Sequence, residues 1–208
     1  MSESEKRPPS TARQVFLLAW ATVATLLALT FAGLAVFLFF NQRAAIHEST
    51  DAGWVRWEKS AGGNGHWYKA VALTNGITWH EADLIARSHH AYLATPVTAE
   101  ENQFIFSLVD APEFFTPEHG SGPALGGVQP ARAAEPAGGW FWVSGEPWTY
   151  SNWFPGEPNN GRNGSKTEDR LHFYSGAPNS RSATWNDMVE SDRGPGNPMP
   201  GYILEREE

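Results

Sequence analysis

The amino-acid sequence predicts an α+β domain carried on one transmembrane helix. Three observations predict it: an uncharged apolar run over residues 15–40, two helix starts that carry capping boxes, and a change after Pro112 to Gly, Pro and aromatic residues with short strand-like runs. The 208 residues allow one ordinary domain plus an appendage.

From Val15 to Phe40 run 26 residues without a charge, with Thr22, Thr25 and Thr30 as the polar interruptions. About 20 helical residues rising about 1.5 Å each cross a hydrocarbon core of about 30 Å, so this run suffices with tilt. A cleaved signal peptide is the competing reading, but its apolar stretch is typically about 7–15 residues. A buried soluble helix would show a polar stripe, and none is present. Lys6, Arg7 and Arg13 precede the run and Arg43 alone follows it closely, which places the amino terminus in the cytoplasm and the body outside it, periplasmic or extracellular. The chain therefore divides into a leader over 1–14, a transmembrane helix over 15–40, a linker over 41–53 and a domain over 54–208.

The body is acidic. Residues 44–208 hold 11 basic against 21 acidic side chains, the wrong sign for a phosphate backbone, so nucleic acid is excluded as a partner. The absence of cysteine excludes disulfides, thiolate metal sites and thiol chemistry. Nine of the ten Trp lie from Trp54 onward and supply the core that disulfides do not.

His66 to Leu73 reads as a strand closed by the turn dipeptide Asn75-Gly76. Thr78…Glu81 and Thr98…Glu101 are capping boxes, in which a Thr oxygen caps the backbone and a Glu three residues on reaches back. The first helix offers Trp79, Ala82, Ile85 and Ala86 to one face, the second Phe104, Ile105, Leu108 and Val109. Trp140-Phe141-Trp142-Val143 and Leu171-His172-Phe173-Tyr174 read as strands.

Oxygen donors gather in the loop-rich half: Glu157, Asn159, Asn160, Asn163, Glu168, Asp169, Asn186 and Asp187, interleaved with glycines. Hard oxygens on a flexible backbone suit Ca²⁺, which takes about 6–8 such ligands. The same residue types also make ordinary solvated turns. The histidines show no His-x-x-x-His or His-Glu-x-x-His spacing. Glu157 and Glu168 as a glycosidase pair are disfavoured because carboxylates held by a metal are poor general acids, so the chain is not read as an enzyme. Asn163-Gly164-Ser165 matches a glycosylation acceptor, with a plain Asn-Gly turn as the simpler reading.

The order of these residues carries more information than their composition. Gly139-Trp140-Phe141-Trp142-Val143-Ser144-Gly145-Glu146-Pro147, Tyr150-Ser151-Asn152-Trp153, Gly156-Glu157-Pro158-Asn159-Asn160, Glu168-Asp169 and Trp185-Asn186-Asp187 together resemble the signature of C-type lectin domains. Thr78-Trp79-His80-Glu81-Ala82, Tyr92-Leu93-Ala94-Thr95-Pro96 and Tyr202-Ile203-Leu204-Glu205 extend the resemblance over roughly residues 64–206. It implies a C-type lectin-like fold: two helices, antiparallel sheets and a long calcium-binding loop region.

It further implies that Glu157, Asn159, Glu168, Asn186 and Asp187 ligate Ca²⁺ and that Pro158 is cis. Glu157, Asn159, Glu168 and Asn186 would also bind sugar, their carboxylates accepting from a vicinal diol and their amides donating to it. The Glu-Pro-Asn triplet goes with mannose-type glycans in that family. Trp185 is assigned a structural role. For the family's auxiliary calcium site the resemblance offers Glu135, Asn160 and Asp169 as candidate remnants, while Ala124 to Gln129 lacks an expected acid and leaves the existence of that site open. Where the family keeps two disulfides, Ala86 faces Leu204 and Arg170 faces Glu190 by motif alignment. Two functions follow: calcium-dependent carbohydrate binding by a membrane-anchored domain, or, as the alternative, a protein-binding module whose calcium is purely structural.

Overall fold

The structure is a computed structural model and describes residues 49–51, 53–116, 120–161, 168–175, 180–190 and 198–207. The expected leader, transmembrane helix, most of the linker and the Asn163-Gly164-Ser165 motif lie outside the described residues.

In chain order the elements are β1 (Ser49–Asp51), β2 (Val55–Arg56), β3 (Trp67–Ile77), α1 (Trp79–Ser88), β4 (Tyr92–Leu93), α2 (Ala99–Ser107), β5 (Ser121–Val128), β6 (Phe141–Trp142), β7 (Glu168–Tyr174), β8 (Trp185–Val189) and β9 (Met199–Arg206). The strands form one sheet in the order β1-β3-β9-β5-β7-β8, with β2 on β3, β4 on β9 and β6 on β5. The sheet is mixed where separate antiparallel sheets were expected, because β5 meets β9 in parallel at Ala124 and Tyr202. β3 pairs with β9 from Trp67–Arg206 to Ala72–Gly201, so the start of the domain is zipped to its end.

The sequence signals for α1 act as expected. Thr78 accepts from the Glu81 amide and the Glu81 side chain returns to the Thr78 amide, satisfying two of the amides a helix start leaves open. Trp79, Ala82 and Ala86 are buried. At α2 only half of the box forms: Thr98 accepts from the Glu101 amide, while the Glu101 carboxylate goes to Tyr68 and to the Val97 amide. The buried face of α2 is also shifted. Ile105, Phe106 and Val109 are buried with Glu101 and Asn102, whereas Phe104 and Leu108 are only partly covered. Asn102 is held inside because its Oδ1 accepts from Trp185 Nε1 at 2.8 Å and its Nδ2 donates to the Ala183 carbonyl at 2.9 Å.

Asn75-Gly76 does not end β3. The strand continues to Ile77 through a register shift after Ala72, with Gly76 at φ +65° where a Cβ would lie 2.6 Å from Pro198 Cβ. Glycine is required there both by its backbone conformation and by the close approach of the neighbouring segment.

Tryptophan fills the centre under the long loops. Trp142, Trp148 and Trp185 are mutually in contact, with Trp140 and Trp153 closing the group at ring-centroid distances of 4.1 to 6.3 Å among the five. At the two pairs of positions that the motif alignment set against each other, Ala86 and Leu204 are both buried in one apolar cluster. Arg170 Nε lies 3.0 Å from Glu190 Oε2. That guanidinium also sits 5.0 Å above the Trp79 ring, and Glu190 Oε1 accepts from the His80 amide at 3.1 Å. Glu190, just past β8, is thus tied to β7 and to the first turn of α1 without a covalent link.

Candidate functional site

The loop at 157–161 is docked on β8 through its stem. The Trp185 amide donates to the Asn152 carbonyl at 2.8 Å and the Phe154 amide to the Trp185 carbonyl at 2.9 Å. The Glu157–Pro158 peptide bond is cis. Asp187, with none of its surface exposed, then holds the loop tip: Oδ1 accepts from the Asn159 amide at 3.0 Å and Oδ2 from the Asn160 amide at 2.8 Å. On the other side Glu168 Oε2 accepts from the Gly161 amide at 2.6 Å, and the Glu168 amide donates to Asn160 Oδ1 at 2.9 Å. Asn160 supports this tight turn at φ +52°, in the left-handed region, where Asn is among the better tolerated side chains. The structure therefore brings Asn159, Asn160, Glu168 and Asp187 together as one hydrogen-bonded unit, with Glu157 preceding the cis-Pro158 turn and Asn186 next to Asp187 on β8.

Two atoms in this unit stand out. Asn159 Oδ1 and Asn186 Oδ1 are buried and accept no hydrogen bond among the described residues. A buried polar oxygen without a donor costs about 1–3 kcal/mol, so such atoms call for a partner that the protein does not supply. Negative charge accumulates nearby. Burial, then the charges of Asp187 and Asp169, raise the Glu135 carboxyl above its ordinary value. Two amide oxygens without donors and several carboxylates fit a hard divalent cation, and the donor set is oxygen throughout. The carboxylates of Glu157, Glu168 and Asp187 do not themselves converge as a group within 4.8 Å; among the described residues that is found for His66, Glu101 and Glu205.

The auxiliary region is differently built. Gln129, where an acid was sought, donates from Nε2 to the carbonyls of Pro136 and Gly138 at 3.0 and 2.8 Å. Its amide nitrogen thus pins the 130–139 segment to the end of β5.

His172 was expected only as a strand residue. It is 1% exposed and stands opposite Asn186 in the β7–β8 register. Its Nε2 is 3.1 Å from Asn186 Nδ2. Burial lowers its pKa to about 4, so the ring is neutral.

The second titratable cluster was not foreseen. His66 Nδ1 lies 2.7 Å from Glu205 Oε1, and Tyr68 OH donates to Glu101 Oε1 at 2.5 Å. Asn64 Nδ2 donates to Glu101 Oε1 at 2.8 Å, and the Thr95 amide to Glu205 Oε2 at 2.8 Å. Thr95 Oγ1 links Glu205 to Glu146, and Tyr92 OH faces Glu205 from β4. Glu101 and Glu205 are 1% and 0% exposed. Burial, reinforced by the Glu205 charge, pushes the Glu101 carboxyl up to about 7. The hydrogen bond to Glu205 raises His66 against the effect of its own burial. No local spacing announces this cluster, since His66 and Glu205 are 139 residues apart.

Both shifts act in one direction on stability. A carboxyl whose folded pKa is raised binds its proton more tightly when folded, so stability falls as pH rises from the unfolded value toward about 7. A raised histidine contributes stability that is complete below its unfolded value and is lost as pH rises through the folded one. His172 acts the other way, because a histidine whose folded pKa is lowered costs stability as pH falls below its unfolded value, so the Glu101 contribution is read by difference: in chelator, Glu101→Gln is expected to lower the stability at pH 5 relative to that at pH 8 by on the order of 2–3 kcal/mol against the unsubstituted chain. Thermal unfolding followed by near-UV circular dichroism checks this, and an unchanged pH dependence in Glu101→Gln contradicts it.

No family model matches the chain. A perlucin-like protein of Mytilus galloprovincialis is 29% identical over 116 residues, covering 55% of this chain and 64% of the relative, so the match spans less than two thirds of that relative's length. Among solved structures, the cow C-type carbohydrate-recognition domain of CD23, in the presence of a GlcNAc2Man3 oligosaccharide, aligns at TM-score 0.54 and 20% identity over 76% of this chain and 95% of that one. Herring type II antifreeze protein aligns at TM-score 0.53 and 17% identity over 76% and 98%. At these identities the likeness establishes the fold, which is C-type lectin-like.

Proposed function

We propose that this C-type lectin-like domain binds mannose-type carbohydrate through a calcium ion held by Glu157, Asn159, Glu168, Asn186 and Asp187, on a chain anchored in a membrane by residues 15–40. The observation that carries the reading is the pair of buried amide oxygens, Asn159 Oδ1 and Asn186 Oδ1, that lack a donor in a surround of carboxylates. Calcium there would offer its remaining coordination positions to a vicinal diol. The carboxylates of Glu157 and Glu168 would accept from the two hydroxyls, and the amide hydrogens of Asn159 and Asn186 would donate to the hydroxyl oxygens, leaving each polar atom satisfied. The Glu157-Pro158-Asn159 triplet supports mannose-type specificity.

The full chain in detergent micelles is expected to be retained on mannose-agarose in calcium and released by chelator, with Asn159→Ala abolishing retention. Acidification is expected to release the chain as well, because ligand carboxylates must be ionised. That release is expected with near-UV circular dichroism unchanged. Chelator-insensitive behaviour, or full retention by Asn159→Ala, contradicts the proposal. The antifreeze neighbour keeps a non-sugar role for this fold in view; a protein-binding module with structural calcium would take up the ion without mannose retention.

A further inference from the structure

We propose that His172 is the positioning residue that turns the Asn186 carboxamide oxygen toward the cation site, by accepting a hydrogen bond at Nε2 from the Asn186 amide nitrogen. The inference rests on the calcium reading above and adds to it a residue outside the ligand set.

A carboxamide has two ends of nearly equal size and opposite chemistry, and only the oxygen can ligate a cation. Nothing within Asn186 decides which end faces the site. The decision comes from across the strand pair. His172 and Asn186 are directly opposed on β7 and β8, so their side chains share one face of the sheet. The imidazole is 1% exposed and meets the amide nitrogen at 3.1 Å, while Asn186 Oδ1 is buried with no donor. With the amide nitrogen turned to the ring as donor, Nε2 is the bare nitrogen and the ring proton sits on Nδ1.

The opposite assignment has a definite consequence. The Gly122 amide is also directed at the ring, in donor geometry 3.3 Å from His172 Nδ1, a longer contact than the 3.1 Å between Nε2 and the Asn186 amide nitrogen. A neutral ring has one accepting nitrogen and cannot serve both neighbours. Were Nδ1 to accept from Gly122, Nε2 would carry the proton and Asn186 would have to present its oxygen to the ring, sending its NH₂ group into the cation site. The two tautomers of His172 thus correspond one to one with two carboxamide orientations, and one of them is competent for a cation. In the competent arrangement the amide spends one hydrogen on His172 and keeps the second for a sugar hydroxyl.

The test uses the ¹⁵N-labelled full chain in detergent micelles. In chelator, long-range ¹⁵N–¹H correlation of the His172 ring is expected to show a protonated Nδ1 and a bare Nε2; a protonated Nε2 overturns the proposal. Calorimetric titration with calcium chloride gives the second readout. His172→Leu is expected to weaken Ca²⁺ binding about 10–100-fold, the usual cost of losing a group that orients a ligand. In an Asn186→Asp background, where oxygen faces the site whichever way the side chain turns, the same His172→Leu change is expected to cost less than about one tenth of that factor. An equal loss in both backgrounds means His172 acts through the fold alone and overturns the proposal. A wild-type chain that takes up no Ca²⁺ removes the calcium reading itself, whereas a protonated Nε2 beside intact Ca²⁺ binding removes only the role of His172.

Discussion

Replacing Trp185 with alanine is expected to lower the unfolding free energy by about 3–5 kcal/mol, the range for deleting a large buried aromatic. The residue has no exposed surface and its ring is contacted edge-on by Trp142 at 5.5 Å, Tyr150 at 5.5 Å and Trp153 at 5.9 Å. Its Nε1 donates at 2.8 Å to Asn102 Oδ1, so truncation removes both a core filling and the partner of a buried carboxamide. A domain of this size is stable by about 5–15 kcal/mol, which makes the loss a large share of the total. Urea unfolding followed by near-UV circular dichroism measures it; a change below about 1 kcal/mol would show that the aromatic cluster does not hold the fold.

Asp187→Ala is expected to abolish mannose retention and to weaken Ca²⁺ binding by more than about 100-fold, a loss at or beyond the upper end for disturbing the shell around a metal. Two causes add. The variant removes a proposed ligand, and it deprives the Asn159 and Asn160 amides of their acceptors at 3.0 and 2.8 Å. Each buried donor left unpaired costs about 1–3 kcal/mol, which frees the loop that carries Asn159. Asp187→Asn keeps the shape but turns an NH₂ toward one of those amides, so it is expected to fail nearly as badly. Titration of both variants with calcium chloride measures the effect, and wild-type affinity in either would remove Asp187 from the site.

Much of the fold is legible wherever the deciding interaction is local. The Thr78–Glu81 capping box involves four consecutive residues and forms in full. The Thr98–Glu101 box has the same spacing, yet its Glu side chain is taken by Tyr68, 33 residues earlier, a competitor that no window along the chain reveals. Asn75-Gly76 has the composition of a turn, but pairing with β9 carries the strand past it and Gly76 is absorbed as an irregularity. The stripe on α2 misplaces Phe106 because that face must meet Phe115, beyond the end of the helix, and Phe173, on β7.

The same division applies to the site. That Asn159 and Asp187 belong together is suggested by motif order alone, since two short segments carry them, and the two do meet. Their attachment through the Asn159 and Asn160 amides adds the geometry that order cannot. His172 escaped notice because its meaning lies in the β7–β8 register, which sets it opposite Asn186. The His66, Glu101 and Glu205 cluster escaped for a related reason: its members meet only when β3 pairs with β9, at the far end of the chain.

The central claim is that a calcium ion is held between the 157–161 loop and β8. A crystal structure of the chain grown in millimolar calcium tests it most directly. The account predicts an ion with Asn159 Oδ1 and Asn186 Oδ1 at about 2.3–2.6 Å. A structure in which those two oxygens take only water, with any ion lodged instead among His66, Glu101 and Glu205, would contradict it.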